Sequence, residues 1–342
     1  MTLPQGLARL VVDWQRLHGR QSLPWQNTQD PYRVWLSEIM LQQTQVSTVL
    51  DYFPRFLGRF PDVAALAAAP QDDVLALWSG LGYYSRARNL HKCAQEVMAR
   101  FGGAFPRLAE DLQTLPGIGR STAAAIAAFC FQERAAILDG NVKRVLTRVL
   151  GYGADLAVAK NEKALWALAQ ALLPEEAGDM PGYTQALMDL GATVCLPRKA
   201  HCEACPVGVI CQAKAQGEPL AYPVKTRKLK RSSATLWLLW AVNAHGQVWL
   251  QKRPDKGIWA GLFSLPVFES ESDLLSAWPE GREPQFIPAW KHVLTHRDLH
   301  LHPVRMRGPD RSSPTCEGQW VDAGAWLEMG LPAPIRLLLA DK

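Results

Sequence analysis

Four cysteines lie close together in the chain, at Cys195, Cys202, Cys205 and Cys211. Four thiolates at such short spacings can bind a tetrahedral zinc ion or the irons of a cubane iron–sulfur cluster, and ligand softness alone does not choose between the two. Two disulfides are the alternative. The first thirty residues contain no apolar segment of signal-peptide length, which predicts a reducing cytosol and therefore favours a metal site.

Two carboxylates could carry out acid–base chemistry. Glu38 lies in an apolar helical segment, and residues 34–51 contain no lysine or arginine, so burial would raise the pKa of Glu38 and keep it protonated. Asp139 directly precedes a predicted helix, whose N-terminus favours an ionised carboxylate. One neutral acid and one anion form the pair expected where a glycosidic bond breaks. The alternatives are a Glu38 on the polar face of its helix and an Asp139 that is only an N-cap.

A glycine-containing turn between two predicted helices could bind a phosphate. Residues 112–123 read LQTLPGIGRSTA, and Gly117 and Gly119 permit positive φ and leave backbone N–H groups open at the start of the second helix. An ordinary helix–helix turn is the alternative. Lys143 and Arg144, one turn after Asp139, could reach a phosphate or remain solvated.

A second loop combines aromatic residues, glycines and arginines. Residues 78–88 read WSGLGYYSRAR, in which Leu81 or Tyr83 could insert into a base stack while Arg86 and Arg88 approach phosphates. Core packing of the tyrosines is the alternative.

Length and composition indicate two domains. The 342 residues are 48% hydrophobic, which is enough for two cores, and no apolar run is long enough to span a membrane. The net charge of +5 fits a nucleic-acid binder and an ordinary basic protein equally well. Apolar spacings of three and four predict helices as far as Cys211, whereas residues 235–243, 247–253, 261–268 and 299–302 have the texture of strands. We predict an all-α domain over residues 1–221, a basic linker over 222–233 and a smaller α+β domain over 234–342. The linker contains Lys225, Arg227, Lys228, Lys230 and Arg231.

Several motifs together resemble the helix-hairpin-helix DNA glycosylases of the endonuclease III superfamily, and most closely the adenine DNA glycosylases of the MutY branch. The resemblance covers nearly the whole chain. Its segments are LPWQ at 23–26, WLSEIMLQQTQV at 35–46, WSGLGYYSRARNLH at 78–91, LPGIGRSTAAAI at 115–126, ILDGNVKRVL at 137–146 and YTQALMDLGATVC at 183–195, together with the cysteine spacing.

This resemblance implies a multidomain fold, in which an all-α helix-hairpin-helix domain with a cluster loop at 195–211 precedes an α+β Nudix-like domain. It implies one 4Fe–4S cluster on the four cysteines rather than zinc. It also implies a DNA repair enzyme that flips adenine, mispaired with 8-oxoguanine or guanine, out of double-stranded DNA and hydrolyses its glycosidic bond. The expected enzyme is a monomer without membrane association, working at the nucleoid in the cytoplasm of a bacterium.

The resemblance also assigns roles to residues. Glu38 would protonate adenine, and Asp139 would stabilise an oxocarbenium-like sugar or bond to it covalently. Ser121 stands where bifunctional relatives carry a Schiff-base lysine, which implies a monofunctional glycosylase because serine cannot form an imine. The remaining expected pocket residues are Trp25, Asn141 and Gln185, and the expected DNA contacts are Gln43, Leu81, Tyr83, Arg86, Gly117, Gly119 and Lys143.

The C-terminal domain resembles the MutT-like domain with which these glycosylases sense 8-oxoguanine, most clearly at residues 257–266, GIWAGLFSLP. Residues 269–283 lack the paired acidic residues with which Nudix hydrolases hold Mg²⁺, so we expect no nucleotide hydrolysis. The family's Phe-Ser-His loop is replaced by Leu294, Thr295 and His296, which keeps a hydroxyl and an imidazole but loses the aromatic ring.

Three other functions compete with this interpretation. Ser121 and the extra domain argue against a bifunctional pyrimidine glycosylase-lyase. An iron–sulfur electron-transfer protein would not need the hairpin or the carboxylate pair. A Nudix hydrolase fused to a DNA-binding module would need the acidic helix that is missing here.

Overall fold

The computed structural model describes residues 3–226, 230–309 and 312–340. Residue contacts divide the chain into a first unit, Met1–Ala67 with Lys92–Lys228, and a second unit, Ala68–His91 with Leu229–Lys342. The grouping of residues 68–91 with the C-terminal part was not predicted, because their helical pattern does not differ from that of their neighbours. Arg227 and Lys228 of the predicted linker lie outside the described residues. Among the described residues, no helix combines the length and apolarity that a membrane span requires.

Helices dominate the chain as far as residue 221, as predicted. They are α1 (Leu7–His18), α2 (Pro31–Leu41), α3 (Val46–Arg59), α4 (Val63–Ala68), α5 (Gln71–Leu77), α6 (Ser85–Phe101), α7 (Ala109–Leu112), α8 (Arg120–Phe131), α9 (Gly140–Leu150), α10 (Ala159–Ala171), α11 (Met180–Asp189) and α12 (Gln212–Ala215). A π-helical turn, Leu190–Val194, extends α11.

The core of the first unit forms around α8, α9 and α11. Residues 123–128 of α8 are all buried, which is the pattern of a helix enclosed on every side. Small residues let neighbouring backbones approach closely. A Cβ on Gly191 would lie 2.7 Å from the Cβ of Asn141, so this glycine allows the first turn of α9 to pack against the π-helical turn.

The C-terminal part of the second unit is built on a mixed sheet. Its strands are β1 (Ser232–Val242), β2 (Val248–Lys252), β3 (Phe263–Ser264), β4 (Val267–Phe268), β5 (Arg282–Phe286), β6 (Trp290–Val293), β7 (Arg297–Arg307) and β8 (Gln319–Val321). The main path runs β3-β2-β1-β7-β5, while β4 pairs with β1, β6 with β7 and β8 with β2. Strands β1 and β7 are parallel, and the other pairs are antiparallel.

Alternating side chains of these strands contribute to two apolar clusters. Leu238 and Leu301 belong to a cluster that includes Ile335 of helix α14 (Ala333–Ala340). Leu239 and Val304 belong to a second cluster, which includes Leu274 of helix α13 (Glu271–Ser276). Helices thus pack against both faces of the sheet, which confirms the predicted α+β class. The predicted strand over 261–268 is divided into β3 and β4.

Candidate active site

An open cleft with a volume of about 1350 Å³ lies in the first unit and collects most of the predicted site residues. Its walls come from α1, α2, α8, α11 and the start of α9. Residues far apart in the sequence meet here. The predicted residues in its lining are Trp25, Glu38, Gln43, Ser121, Asp139, Asn141 and Gln185. Glu38 and Asp139 are the two carboxyl groups among the described residues that line it.

Glu38 reaches the cleft from α2, a helix in which most other residues are buried. Asp30 caps this helix by accepting a hydrogen bond from the backbone N–H of Tyr32 at 2.9 Å, and Pro31 occupies the first helical position. Glu38 is half-buried among buried neighbours and opens to the cleft. Burial and, secondarily, the nearby charge of Asp139 raise the pKa of Glu38 to about 8. The Glu38 carboxyl is therefore mostly protonated at neutral pH.

Asp139 is the N-cap of α9, and its Oδ1 accepts a hydrogen bond from the backbone N–H of Val142 at 2.7 Å. Burial raises the pKa of Asp139, and the backbone hydrogen bond from Val142 and the charge of Arg144 oppose this effect. The net direction of the pKa shift is upward, and the hydrogen bonds at the helix N-terminus limit this rise, which is the direction of the effect that was predicted for them. Burial thus raises the pKa of both carboxyl groups, and that of Glu38 reaches about 8.

These protonation states predict how base excision depends on pH. If Glu38 donates a proton in the rate-limiting step, the single-turnover rate falls tenfold per pH unit above about pH 8, where the carboxyl ionises. DNA binding measured over the same range serves as the control. A rate that stays level between pH 7 and pH 10 would show that no group with this pKa donates the proton.

The other predicted pocket residues are held in place by the protein. The hydroxyl oxygen of Ser121 accepts a hydrogen bond from the backbone N–H of Leu138 at 3.0 Å. Leu138 directly precedes Asp139 in the chain. Trp25 is buried edge-on against Phe53, with ring centroids 5.5 Å apart. Gln43, a predicted DNA contact, also lines the cleft; it is exposed and has a φ of 56°, a left-handed conformation that is strained for glutamine and that recurs at functional sites.

Arg20 and Asp189 form an ion pair beside the cleft, and this ion pair was not predicted. The Arg20 guanidinium lies 2.7 Å from the Asp189 carboxylate, whose side chain is 1% exposed. The same carboxylate accepts a hydrogen bond from Gln185 Nε2 at 2.9 Å. A buried aspartate in an apolar helix indicates a missing partner, but the partner here is 169 positions away.

Arg144 and Lys143, which were expected either to reach a phosphate or to remain solvated, both bond to other groups of the protein. Arg144 is buried, and it donates to the backbone oxygens of Gly191 at 2.6 Å and Cys195 at 2.7 Å and to Asn141 Oδ1 at 2.8 Å. Buried carbonyl groups need donors, which explains this placement of Arg144. Lys143 forms an ion pair with Glu162 and does not line the cleft.

The glycine turn before α8 differs from its prediction at one position. Gly117 has a φ of 77°, as predicted. Gly119 is the N-cap of α8 with φ −83°, an extended conformation that any residue adopts, so the expectation of positive φ there was wrong. A Cβ on Gly119 would meet no atom within 4 Å. The need for glycine at this position therefore does not arise from the fold.

This open surface predicts a specific effect of Gly119→Ala. The added methyl group should change thermal stability by less than about 1 kcal/mol, because it contacts nothing in the protein. We expect duplex DNA affinity to fall about tenfold if a phosphate packs against the N–H groups of this turn. The matched control is Gly58→Ala on α3, whose Cβ also meets no atom. Equal DNA affinity of the two variants would exclude a phosphate at this turn.

The four clustered cysteines line one small apolar cavity of about 20 Å³ in the first unit. All four are free thiols. Arg148 donates to the Sγ of Cys195 at 3.2 Å, and Lys214 Nζ lies 3.4 Å from the backbone oxygen of Cys202. In the described part of the chain, no three His, Cys, Asp or Glu side chains are grouped so that they could hold a single metal ion.

The predicted DNA-inserting loop lies in the second unit, and its predicted DNA contacts differ in exposure. Leu81 is buried, whereas Tyr83 is 42% exposed with a φ of 48°. Arg86 is also buried; its guanidinium donates to the backbone oxygens of Leu81 at 3.2 Å and Gly82 at 3.1 Å. Arg86 therefore shapes the loop in this conformation and does not present its charge to a phosphate. Tyr83 is the side chain that the loop presents.

Tyr83 meets the predicted lesion-recognition turn within the same unit. Its hydroxyl shares a hydrogen bond of 2.6 Å with Thr295 Oγ1. Thr295 and His296 are exposed between β6 and β7, while Leu294 is half-buried. Arg231 holds this turn by donating to the backbone oxygens of Leu294 at 2.8 Å and Thr295 at 3.0 Å. This role of Arg231 was not predicted, because Arg231 falls in the basic linker and its partners are more than sixty residues away.

Comparison with known proteins agrees with this architecture. Residues 36–171 match the family model of the HhH-GPD superfamily of base excision DNA repair proteins, and residues 237–341 match a NUDIX domain. The adenine DNA glycosylase of Buchnera aphidicola subsp. Schizaphis graminum is 34% identical, and the match covers 97% of each chain.

Two solved structures are similar to the helical part. A thermostable thymine-DNA glycosylase matches with a TM-score of 0.57 and 29% identity, covering 62% of this chain and 97% of that one. Endonuclease III in a non-covalent DNA complex matches with a TM-score of 0.51 and 20% identity over 64% of this chain and 99% of that one, which supports the fold alone. With the two family models and a relative aligned along nearly its whole length, the chain belongs to the adenine DNA glycosylase family of base excision repair enzymes.

Proposed function

We propose that this enzyme removes adenine mispaired with 8-oxoguanine, and with guanine, from double-stranded DNA. The observation that carries the proposal is the cleft in which a protonated Glu38 and Asp139 are the carboxyl groups available. An adenine flipped into the cleft gives up its glycosidic bond, and the electron pair of that bond goes to the base. Adenine leaves more readily when a ring nitrogen is protonated, and Glu38 supplies that proton.

The second carboxylate acts on the sugar. As the bond breaks, positive charge develops at C1′, and the Asp139 carboxylate stabilises it by charge or by a transient covalent bond. Water then adds to C1′, and the ionised Glu38 accepts the proton that this water releases. The products are free adenine and an abasic site, and Glu38 is again protonated.

Strand cleavage is not part of the proposed reaction. A glycosylase that also cleaves the strand needs an amine at C1′. No lysine occurs in the cleft lining among the described residues, and the Ser121 hydroxyl is engaged with the backbone of Leu138. Lys143 is paired with Glu162. These placements support a monofunctional enzyme.

Recognition of 8-oxoguanine is assigned to the second unit. Tyr83 is proposed to insert beside the lesion, and the exposed Thr295 and His296 offer a hydroxyl and an imidazole for hydrogen bonds to it. Leu294 can supply an apolar contact but no aromatic stacking. The substrate is duplex DNA, and the enzyme is proposed to act as a monomer at the nucleoid in the cytoplasm.

The cysteine loop is proposed to hold one 4Fe–4S cluster. Four free thiols around one apolar cavity, with Arg148 donating to one sulfur, fit a cluster whose corners each take one thiolate. When bound, the cluster would supply a covalent brace for residues 195–211 and a potential redox centre.

This assignment predicts that Cys202→Ala loses the cluster, whereas Cys130→Ala keeps it. Cys202 is one of the four cavity thiols, and Cys130 lies on α8 outside that cavity. The measurement is iron and acid-labile sulfide per chain in the two purified variants. Full iron in Cys202→Ala would contradict the ligand assignment, and equal loss in both variants would point to general misfolding.

The substrate is tested with a panel of duplexes under single-turnover conditions, with the released base identified by chromatography. We expect fast adenine release opposite 8-oxoguanine, slower release opposite guanine and none opposite thymine. A duplex with thymine opposite guanine is included because a thymine-DNA glycosylase is among the structural neighbours. Preferential release of thymine would overturn the proposed specificity.

A further inference from the structure

Beside the cleft, the carboxylate of Asp189 accepts three hydrogen bonds and pairs with a guanidinium. Asp189 is the last residue of α11 and is fully buried. Its Oδ2 accepts from the backbone N–H of Arg20 at 2.9 Å, and its Oδ1 accepts from Arg20 Nε at 2.8 Å and lies 2.7 Å from the terminal guanidinium nitrogen. The third hydrogen-bond donor is Nε2 of Gln185, also to Oδ1 and at 2.9 Å. Gln185 and Arg20 both line the cleft, so the Asp189 carboxylate is connected to the cleft through these two side chains.

This arrangement fixes which way the Gln185 amide points. A glutamine amide can usually be turned by 180°, because its oxygen and nitrogen have nearly the same shape. A carboxylate that pairs with a guanidinium can only accept hydrogen bonds. Gln185 must therefore give its NH₂ group to Asp189. Its Oε1 has no hydrogen-bond partner among the described residues and is not enclosed by them, so it remains available to the cleft.

We propose that Asp189 and Arg20 act as positioning residues that make Gln185 a pure hydrogen-bond acceptor toward the flipped base. An acceptor at this point favours a base with an exocyclic amino group, such as adenine, over one with a carbonyl group at the same position, such as hypoxanthine. Two facing acceptors repel each other and leave a desolvated oxygen unpaired. This inference rests on the proposed function, since it concerns the base bound in the same cleft.

The test is Asp189→Asn, which preserves size and hydrogen bonding but can donate as well as accept. The asparagine introduced by this substitution has no negative charge and only one accepting oxygen, which the Arg20 donors compete for. Gln185 is then no longer obliged to donate to position 189, and its amide can turn and present a donor to the cleft. Single-turnover excision is measured for adenine, hypoxanthine and unsubstituted purine, each opposite 8-oxoguanine. We expect the adenine-to-hypoxanthine rate ratio to fall at least about tenfold relative to wild type. Purine, which has neither group, is the internal reference.

The double variant separates positioning from general support. Gln185→Ala removes the acceptor, so adding Asp189→Asn to it should leave the adenine-to-hypoxanthine ratio unchanged. Equal slowing of all three bases by Asp189→Asn would mean that the ion pair only supports the fold, and this would overturn the inference. If wild type excises no adenine at all, the proposed function fails instead, so the two failures are distinguishable.

A second variant covers the case in which Asp189→Asn does not fold. Arg20→Lys keeps one positive charge but loses the forked geometry that saturates the carboxylate. It should shift the adenine-to-hypoxanthine ratio in the same direction by a smaller factor. An unchanged ratio in a folded Arg20→Lys protein, together with an unfolded Asp189→Asn protein, would also count against the inference.

Discussion

Replacing Glu38 by glutamine is expected to lower the single-turnover rate of adenine excision by about three orders of magnitude. Glutamine keeps the size and the hydrogen-bonding groups of the protonated acid but has no proton to donate. DNA affinity should be unchanged, because the wild-type carboxyl is itself mostly neutral at pH 7. Excision rate and duplex binding are measured on the same preparation.

Thermal unfolding gives this variant an independent readout. The folded chain binds the Glu38 proton more tightly than the unfolded chain, so wild-type stability decreases as pH rises from about 4.5 to about 8. Glutamine is uncharged throughout, and Glu38→Gln should therefore be more stable than wild type by about 4 kcal/mol near pH 8.5, with little difference at pH 4. Lower stability of the variant at both pH values would show that burial of Glu38 carries no electrostatic cost.

Asp139→Asn is expected to reduce excision by about two to three orders of magnitude with little change in stability. Asparagine caps helices about as well as aspartate, so the hydrogen bond from Val142 and the start of α9 should be kept. Only the negative charge facing the sugar is removed. Single-turnover excision and thermal melting are the two measurements.

Asp139→Ala is the matched comparison, because it removes both the charge and the cap. It should show a similar loss of excision and, in addition, a loss of about 1 kcal/mol in stability. If Asp139→Asn excises adenine at the wild-type rate, the residue is only a helix cap and its assigned role in the reaction is wrong.

The fold and the acid pair could be predicted because their signals are local. Apolar spacing identified α2 and α8, the alternation of residues 299–302 identified β7, and Asp139 preceded a helix that it does cap. The raised pKa of Glu38 also followed from a local property, the absence of basic residues around it in an apolar segment.

The arginines could not be placed from the sequence, because their partners are distant along the chain. Arg86 and Arg144 lie within motifs that suggest phosphate contacts, yet both are buried against backbone carbonyl groups. Arg20 carried no signal and Arg231 was assigned to the basic linker, yet each makes long-range bonds beside a predicted functional residue. A guanidinium has five donors, so it satisfies whichever carbonyl or carboxylate groups the fold buries, and only three-dimensional structure identifies these.

We propose above that this chain hydrolyses the glycosidic bond of adenine without cutting the strand. The most direct test is a single-turnover reaction with a duplex that has adenine opposite 8-oxoguanine and a label on the adenine strand, quenched with and without alkali. We expect strand breaks at the adenine position only after alkali, and none with Glu38→Gln. Strand breaks of equal yield without alkali would contradict it, as would an intact adenine strand after alkali.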